Sequence, residues 1–369
     1  MDWDAYFASV LYITNKRYKG KLIILSRLLL NQRYFGSFNL RTLILGFIFV
    51  NLFYATSLAS IPAFAQENPT KKAFHLRAME AVSNQNYKIA LSLAIDSTRL
   101  IGVHSRADQL VIAMVHLSHY DENTQKSSLR LAREILQKIV TKLEGVAVLD
   151  ENQQFIQGMS LFQLGYIDQL QGNQISSALK TRSAAKILAR LETNIDAQAL
   201  KAIYDYYMGA ITSRIPFMGD SREKSLKILA HAVKNSQYFS NLYRTSLVWM
   251  RYDQKKYQLG LNLAQEFLNS HPNNRIYLSI KADFYKKMDR NTEAYELYQG
   301  VYQSYVENQS KMSVRQLSAI GNLMLLSKEL GRTGEHALFN QKFHANIEIF
   351  RSNMPASLLE DMENHDLIE

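Results

Sequence analysis

The sequence predicts an all-α protein built from antiparallel helix hairpins, and three observations support this fold class. The 369-residue chain contains only 15 Gly and 5 Pro, too few for the many tight turns of a β-barrel or β-sandwich. Beyond residue 70, apolar side chains recur at spacings of three and four residues, which is the period of an amphipathic helix. Short polar breaks separate these segments, and Pro216, Pro272 and Pro355 lie in or beside breaks, where proline does no harm to a helix.

Residues 42–61 form an uncharged apolar stretch on the N-terminal side of the chain. Arg41 precedes the stretch, and a small-residue site, Ala63-x-Ala65, follows it. This order is typical of a secretory signal peptide. We therefore expect residues 1–65 to be a leader that is cleaved after Ala65, and the rest of the chain to be periplasmic or otherwise extracytoplasmic. The alternatives are an uncleaved membrane anchor, for which the stretch is just long enough, and a buried helix of a soluble domain.

Charge and cysteine content exclude several classes of function. The chain has no Cys, which excludes disulfides, Cys-ligated zinc and thiol catalysis. The formal net charge is +10, but half of it lies in the leader, and no block of five Lys or Arg residues occurs. The charge therefore argues against nucleic acid as a partner. Residues 351–369 include the acidic residues Glu360, Asp361 and Glu363, and we expect them to form a solvated C-terminal tail.

Helices are expected to alternate with turns along residues 66–350. We place the turns at seven polar breaks: 83–86, 121–123, 171–173, 217–220, 270–274, 288–291 and 331–334.

Two neighbouring segments, 255–274 and 289–308, repeat one another with an offset of 34 residues. Small residues recur early in the second helix of each predicted hairpin, at Ala90, Gly260 and Ala294, and we expect them where the two helices of a hairpin approach closely. Larger residues, Leu93, Phe267 and Tyr298, are expected to fill the gap to the next hairpin. The pairs at this offset are Gly260 with Ala294, Leu263 with Leu297, Ala264 with Tyr298, Phe267 with Val301 and Val248 with Ala282.

These features resemble the tetratricopeptide repeat (TPR), which has a 34-residue period, a small residue early in its second helix and a proline at the end of the repeat. The units 241–274, 275–308 and 71–104 fit best, and residues 330–337 match the inter-helix turn. No unit has the Trp and Leu-Gly of the usual first helix. The resemblance implies a TPR-like α-solenoid of about six to eight hairpins over residues 66–350. The alternative is a helical bundle without repeats.

The chain shows no local signature of catalysis. The nucleotide-binding and hydrolase motifs GxxxxGK[ST], GxGxxG, GxSxG and HExxH are absent. His116 and His119 are three residues apart and could share a helix face beside Asp121 and Glu122, but two His without a third fixed ligand are weak evidence for a metal. His336 and His344 are more simply half-buried or solvated, and His271 would cap a turn. We therefore predict no catalytic residue, no metal site and no cofactor.

Aromatic residues indicate the most plausible binding surface. The chain has 21 Tyr, many of them in its C-terminal half, and Tyr and Trp often anchor interfaces. The TPR resemblance implies that the first helix of each hairpin lines a concave groove. The predicted partner-binding residues on two such helices are Trp249, Tyr252, Asp253, Asp283, Lys286 and Lys287.

The sequence therefore predicts an exported scaffold that binds a protein or peptide partner and has no catalytic activity. One alternative is an accessory solute- or small-ligand-binding subunit of an envelope transport system. Residues 204–236, with a Gly, a Pro and a Gly-Asp turn, also resemble the TPR subunits of tripartite periplasmic transporters. A second alternative is an envelope enzyme without a recognisable local motif, which would need a deep cleft with convergent acids or His.

Overall fold

The computed structural model describes residues 69–101, 105–123, 125–213, 219–236, 239–307 and 312–351. These residues form fourteen helices and no strand. The leader, including the apolar stretch 42–61, and the tail beyond Arg351 lie outside the described residues, as do the predictions made for them. The helices are α1 (Pro69–Ser83), α2 (Tyr87–Ile101), α3 (Arg106–Asn123), α4 (Lys126–Glu144), α5 (Glu151–Leu170), α6 (Gln174–Leu188), α7 (Ile195–Thr212), α8 (Arg222–Asn235), α9 (Ser240–Asp253), α10 (Tyr257–Ser270), α11 (Arg275–Lys287), α12 (Asn291–Glu307), α13 (Val314–Glu329) and α14 (Thr333–Arg351).

The described helices pack in sequential pairs, from α1 with α2 to α13 with α14. The second helix of each pair also packs on the first helix of the next pair. Each contact is therefore mainly between neighbours in sequence, as in a repeat protein. The predicted all-α, TPR-like array is confirmed, with seven hairpins in the described part of the chain. None of the described helices is both long and apolar enough to cross a bilayer.

A recurring turn joins the two helices in five of these seven hairpins. One residue adopts a left-handed backbone, with φ of 57° at both Lys255 and Asp289. The amide of the following residue donates to the carbonyl five residues earlier, at 2.9 Å both for Lys256 to Arg251 and for Arg290 to Tyr285. This bond satisfies a free carbonyl at the helix end. Lys255 and Asp289 are 34 residues apart, so the offset seen in the sequence recurs in the backbone. The left-handed positions are Gln85, Gly172, Lys255, Asp289 and Gly331.

The predicted packing of small and large residues is confirmed at Phe267 and corrected at Gly260. Ala90 and Ala294 are fully buried. A Cβ atom on Gly260 would lie only 2.1 Å from the ring of Phe284. Phe284 belongs to α11, so Gly260 allows close approach of the next hairpin and not, as predicted, of its own partner helix. Phe267 does fill the gap to the next hairpin, because its ring stacks on Tyr277 at 3.9 Å.

The predicted turn at residues 121–123 is wrong. Helix α3 continues to Asn123, and Asp121 and Glu122 are buried in its last turn. These acids look like a polar break in the sequence, but each has polar partners in distant parts of the chain, as described below. Those partners offset the cost of burying two carboxylates.

The first helices of several hairpins are buried on more than one face. In α5, twelve residues between Phe155 and Asp168 are buried, which is more than one stripe of a helix can supply. Helix α3 is similar, and it also packs against α13, far along the chain. The early hairpins therefore contact the late ones directly.

Candidate functional site

The six residues predicted to bind a partner lie on the first helices α9 and α11, and we call them the α9–α11 patch. The two helices meet through aromatic rings. The ring of Tyr252 on α9 lies 5.5 Å from that of Phe284 on α11, 5.6 Å from Tyr257 and 5.4 Å from Trp249. Trp249 is 7% exposed and belongs to the hydrophobic core, whereas Tyr252 is half-buried. The aromatic part of the patch is thus the partly exposed ring of Tyr252, which packs on the buried rings of Trp249 and Phe284.

Three of the four charged members of the patch are held by neighbouring helices. The hydroxyl of Tyr206 on α7 donates to Asp253 at 2.8 Å, and that of Tyr298 on α12 donates to Asp283 at 2.5 Å. Lys286 donates to the side-chain oxygen of Asn322 on α13 at 2.6 Å. These bonds fix the charged groups in place before any partner arrives, which lowers the entropy cost of binding.

Burial shifts the pKa of Asp253 in the patch and that of Tyr298, the partner of Asp283. Desolvation raises the pKa of Asp253, against a smaller lowering by the Tyr206 hydroxyl and the Arg222 charge. Desolvation and the charge of Asp283 together raise the pKa of Tyr298. Lys287 is the one exposed side chain among the six. The six residues lie on adjacent helices, but Trp249 is buried and packs against Tyr252 instead of facing a partner.

The sequence does not reveal the partners that hold the patch, namely Tyr206, Tyr298 and Asn322. Tyr206 and Tyr298 belong to the C-terminal group of tyrosines, but nothing in a tyrosine's sequence position shows which distant acid it will reach. Asn322 follows Lys286 by 36 residues, close to the repeat offset. A comparison of equivalent positions on successive first helices could have suggested this pair.

A second polar cluster, centred on Glu122, was not predicted. Glu122 lies in the last turn of α3, is 1% exposed and contacts three other parts of the chain. Its carboxylate accepts from Arg275 on α11 at 3.0 Å, from the Tyr305 hydroxyl on α12 at 2.8 Å and from Gln85 in the α1–α2 turn at 3.1 Å. We call this group, together with Asp121 and Arg315, the Glu122 cluster.

Asp121 and Arg315 extend the Glu122 cluster to two more helices. Arg315, in the first turn of α13, donates to the backbone carbonyl of Asp121 at 2.6 Å and lies 3.9 Å from the Glu122 carboxylate. The Asp121 carboxylate accepts from the Tyr166 hydroxyl on α5 at 2.8 Å. Burial raises the pKa of Asp121, although Arg315 and Tyr166 act in the opposite direction.

The turn between α10 and α11 also bonds to the end of α1 and to the α1–α2 turn. Asn274 donates to the carbonyl of Ser83 at 2.7 Å, and its neighbour Arg275 donates its amide to Gln85 at 3.1 Å. His271 lies 3.2 Å from the carboxylate of Glu80, and its ring stacks on Phe267. His271 therefore makes a long-range contact and not the turn cap that its sequence position suggests.

The geometry of the Glu122 cluster is that of a contact that holds helices together, although the cluster contains acids, bases and tyrosines. Both carboxylates are buried, 5% and 1% exposed, and both accept from side chains of distant helices. Such groups hold helices together because leaving any one of them unpaired in the interior is costly. The arrangement places two buried acids in contacts between distant helices.

Two of the other histidines singled out in the sequence, His119 and His336, have defined polar partners. The Nδ1 atom of His119 lies 2.9 Å from the Ser128 hydroxyl, and its ring packs on Tyr87. Burial lowers the pKa of both His116 and His119. His336 lies 3.0 Å from the carbonyl of Met324. Across the part of the chain that the structure describes, no group of three or more His, Asp or Glu side chains is placed to hold a metal ion.

Comparison with solved structures finds a match to a helical-repeat protein. A solved structure of a tetratricopeptide repeat protein from Parabacteroides merdae matches 79% of this chain and all of its own length, with 11% identity and a TM-score of 0.39. A superposition this loose carries no further argument, and the TPR-like architecture rests on the helix order and the repeated turns. No family model matches the chain, and no curated protein is significantly similar to it.

Proposed function

We propose that this protein is an extracytoplasmic helical-repeat scaffold that binds a protein or peptide partner through the α9–α11 patch, without catalysis of its own. The observation that carries the proposal is Tyr252. Its ring is half-buried and braced by three other aromatic rings, and patch residues beside it supply both signs of charge. A rigid aromatic side chain beside charged groups is the usual form of an interface anchor.

Several features of the patch suit an extended peptide or a helix. The acids and lysines lie on two adjacent first helices, so that a partner crossing both would meet Asp253 on one and Lys286 and Lys287 on the other. The acids and Lys286 are already positioned by bonds to α7, α12 and α13. A partner therefore needs to order few side chains on this surface.

Capture of partners from the envelope fraction of the source organism tests the proposal. The bait is the chain from Gln66 onward, and the variant is Lys286→Glu with Lys287→Glu. The matched control is Lys224→Glu with Lys227→Glu, two exposed lysines on α8. Trp249→Ala is unsuitable, because truncating a buried Trp costs about 3–5 kcal/mol of stability.

We expect one protein to be retained by the parent and the α8 control but lost by the patch variant, with equal helicity in all three. The purified partner should then bind the patch variant at least tenfold more weakly. Equal capture by all three chains would overturn the proposal for this patch.

A further inference from the structure

The second helices of the hairpins divide by charge along the chain. Helices α4, α6 and α8 carry five, three and four basic residues, against two, none and one acidic. Helices α10 and α12 carry no basic residue and one and three acidic ones. We call the outer sides of α4, α6 and α8 the basic face. The other second helices, α2 and α14, carry both signs. The excess of basic residues on α4, α6 and α8 creates a local positive field that favours an anionic occupant.

The basic face is open to solvent and carries apolar side chains among its charges. Six lysines are exposed on α4 and α8, and on α6 the apolar residues Ile175 and Leu179 are 68% and 50% exposed. Ile175 and Leu179 are four residues apart and so lie on the same side of the helix. The exposed lysines are Lys126, Lys138, Lys142, Lys224, Lys227 and Lys234.

A buried acid on α5 forms ion pairs with both α4 and α6. Asp168, near the end of α5 and 2% exposed, pairs with Arg133 of α4 at 2.6 Å and with Lys180 of α6. The two basic helices therefore flank the end of α5, and their outer sides can contact one extended segment together.

The chain itself contains a segment of matching chemistry. Residues 352–369 have no Lys or Arg, and apolar residues, among them Leu358, Leu359 and Met362, are interspersed with five acids. Opposite charge and a shared apolar component make this tail complementary to the basic face. Its acids are Glu360, Asp361, Glu363, Asp366 and Glu369.

The end of α14 and the start of α4 are linked through the start of α13 and the end of α3. Helix α14 packs antiparallel on α13, with Phe343 against Gly321, so its end lies level with the start of α13. There Arg315 donates to the carbonyl of Asp121 at 2.6 Å, and α4 begins five residues after Asp121, at Lys126. Eighteen residues can extend up to about 60 Å, whereas a 19-residue helix such as α4 is about 28 Å long.

We propose that residues 352–369 dock on the outer sides of α4 and α6 of the same chain, with their carboxylates beside the lysines and their apolar side chains against Ile175 and Leu179. The tail then covers a surface that would otherwise attract other anions, and a partner for that surface must displace it. This surface is separate from the α9–α11 patch, so either proposal can fail without the other.

Pulsed electron resonance on the full chain tests the docking, and the natural absence of Cys allows clean spin labelling. One label is placed in the tail by Asn364→Cys and the other on the exposed side of α4 by Gln137→Cys. The matched pair moves the second label to α12 by Gln299→Cys, which is equally exposed.

We expect a defined short distance for the tail–α4 pair and a longer, broader distribution for the tail–α12 pair. Replacing Lys126, Lys138 and Lys142 by Gln should remove the short distance. Replacing the three exposed α8 lysines by Gln should leave it, and so should dilution with unlabelled chain. A synthetic peptide of residues 352–369 should bind a chain ending at Arg351 and lose about tenfold in affinity after the α4 substitutions.

Four results would overturn the proposal. The first is equally broad distances for both label pairs, and the second is a short distance that survives the α4 substitutions. A short distance lost on dilution would place the tail on a second copy. Equal affinity of the synthetic peptide for the chain ending at Arg351 before and after the α4 substitutions would show that the tail does not bind these lysines.

Discussion

At the scale of single residues, the molecule depends on side chains whose partners are far away in sequence. Glu122 is the strongest example, because it joins the end of α3 to α11 and α12, with its partners 153 and 183 residues away. No periodicity or local motif can reveal such a pairing. The sequence alone therefore predicts Asp121 and Glu122 in a turn, where short polar runs usually lie.

Replacing Glu122 by Gln should be strongly destabilising, since Arg275 then loses the charge of its buried partner. We expect a loss of about 3–5 kcal/mol in the free energy of unfolding, the usual effect of breaking a buried ion pair. Urea titration followed by circular dichroism measures it. The control, Glu134→Gln, removes an exposed acid 3.8 Å from Arg130 and should change stability by less than about 0.5 kcal/mol. Equal small effects would show that the cluster contributes little.

Gly260→Ala should destabilise the protein even though alanine favours helices. The new Cβ would lie 2.1 Å from the buried ring of Phe284, and overpacking of this kind costs about 1–3 kcal/mol. The matched change is Gly300→Ala on α12, where a Cβ meets nothing within 4 Å. It should raise stability by about 0.5–1 kcal/mol through helix propensity. Thermal unfolding compares the two, and a stabilising Gly260→Ala would contradict the observed packing.

The stabilising effect of Asp168 should depend on pH. Burial alone would raise its pKa, but the bonds from Lys180, Ser176 and Arg133 prevail and hold the pKa below the ordinary value of 3.8. The folded state therefore gains stability from the charged form, fully above that value and progressively less as the pH falls below it. Asp168→Asn should cost about 3 kcal/mol at pH 7, and the difference from the parent should shrink in acid. A difference that stays constant from pH 7 to pH 3 would contradict this assignment.

At the scale of helices and turns, the sequence predicted the positions of four turns. The turns at 83–86, 171–173, 270–274 and 288–291 lie where the polar breaks predicted them, because a helix end exposes backbone groups that polar residues and left-handed positions satisfy. The three hairpins between residues 105 and 240 have helices of up to 20 residues. These longer helices explain why that region matched the 34-residue period poorly.

The late hairpins should respond as a unit when their link to α3 is weakened. Residues from Ala282 to Ile347 form a hydrophobic cluster of their own, and Arg315 joins that cluster to Asp121. We expect Arg315→Gln to increase hydrogen exchange in α13 and α14 more than in α7 and α8, which belong to the larger cluster. Mass spectrometry of exchanged peptides measures this. Equal increases in both pairs of helices would show that the late hairpins do not open separately.

At the scale of the whole molecule, the sequence predicted the architecture better than the binding surface. Repeated hairpins follow from local periodicity and turn chemistry, so the TPR-like array could be predicted. Whether an aromatic residue faces solvent could not, because first helices such as α5 are buried on several sides and no single apolar stripe marks their exposed face. Trp249 and Tyr252 look alike in the sequence, yet the first lies in the core and the second is half-buried.

The most direct test of partner binding by the α9–α11 patch is photo-crosslinking in living cells of the source organism. A photoreactive amino acid is introduced at Lys287, the exposed member of the patch, and in a parallel strain at Lys227, an equally exposed lysine on α8. The account predicts a covalent adduct with one protein from position 287 and not from position 227. The absence of an adduct at position 287, or the same adducts from both positions, would contradict it.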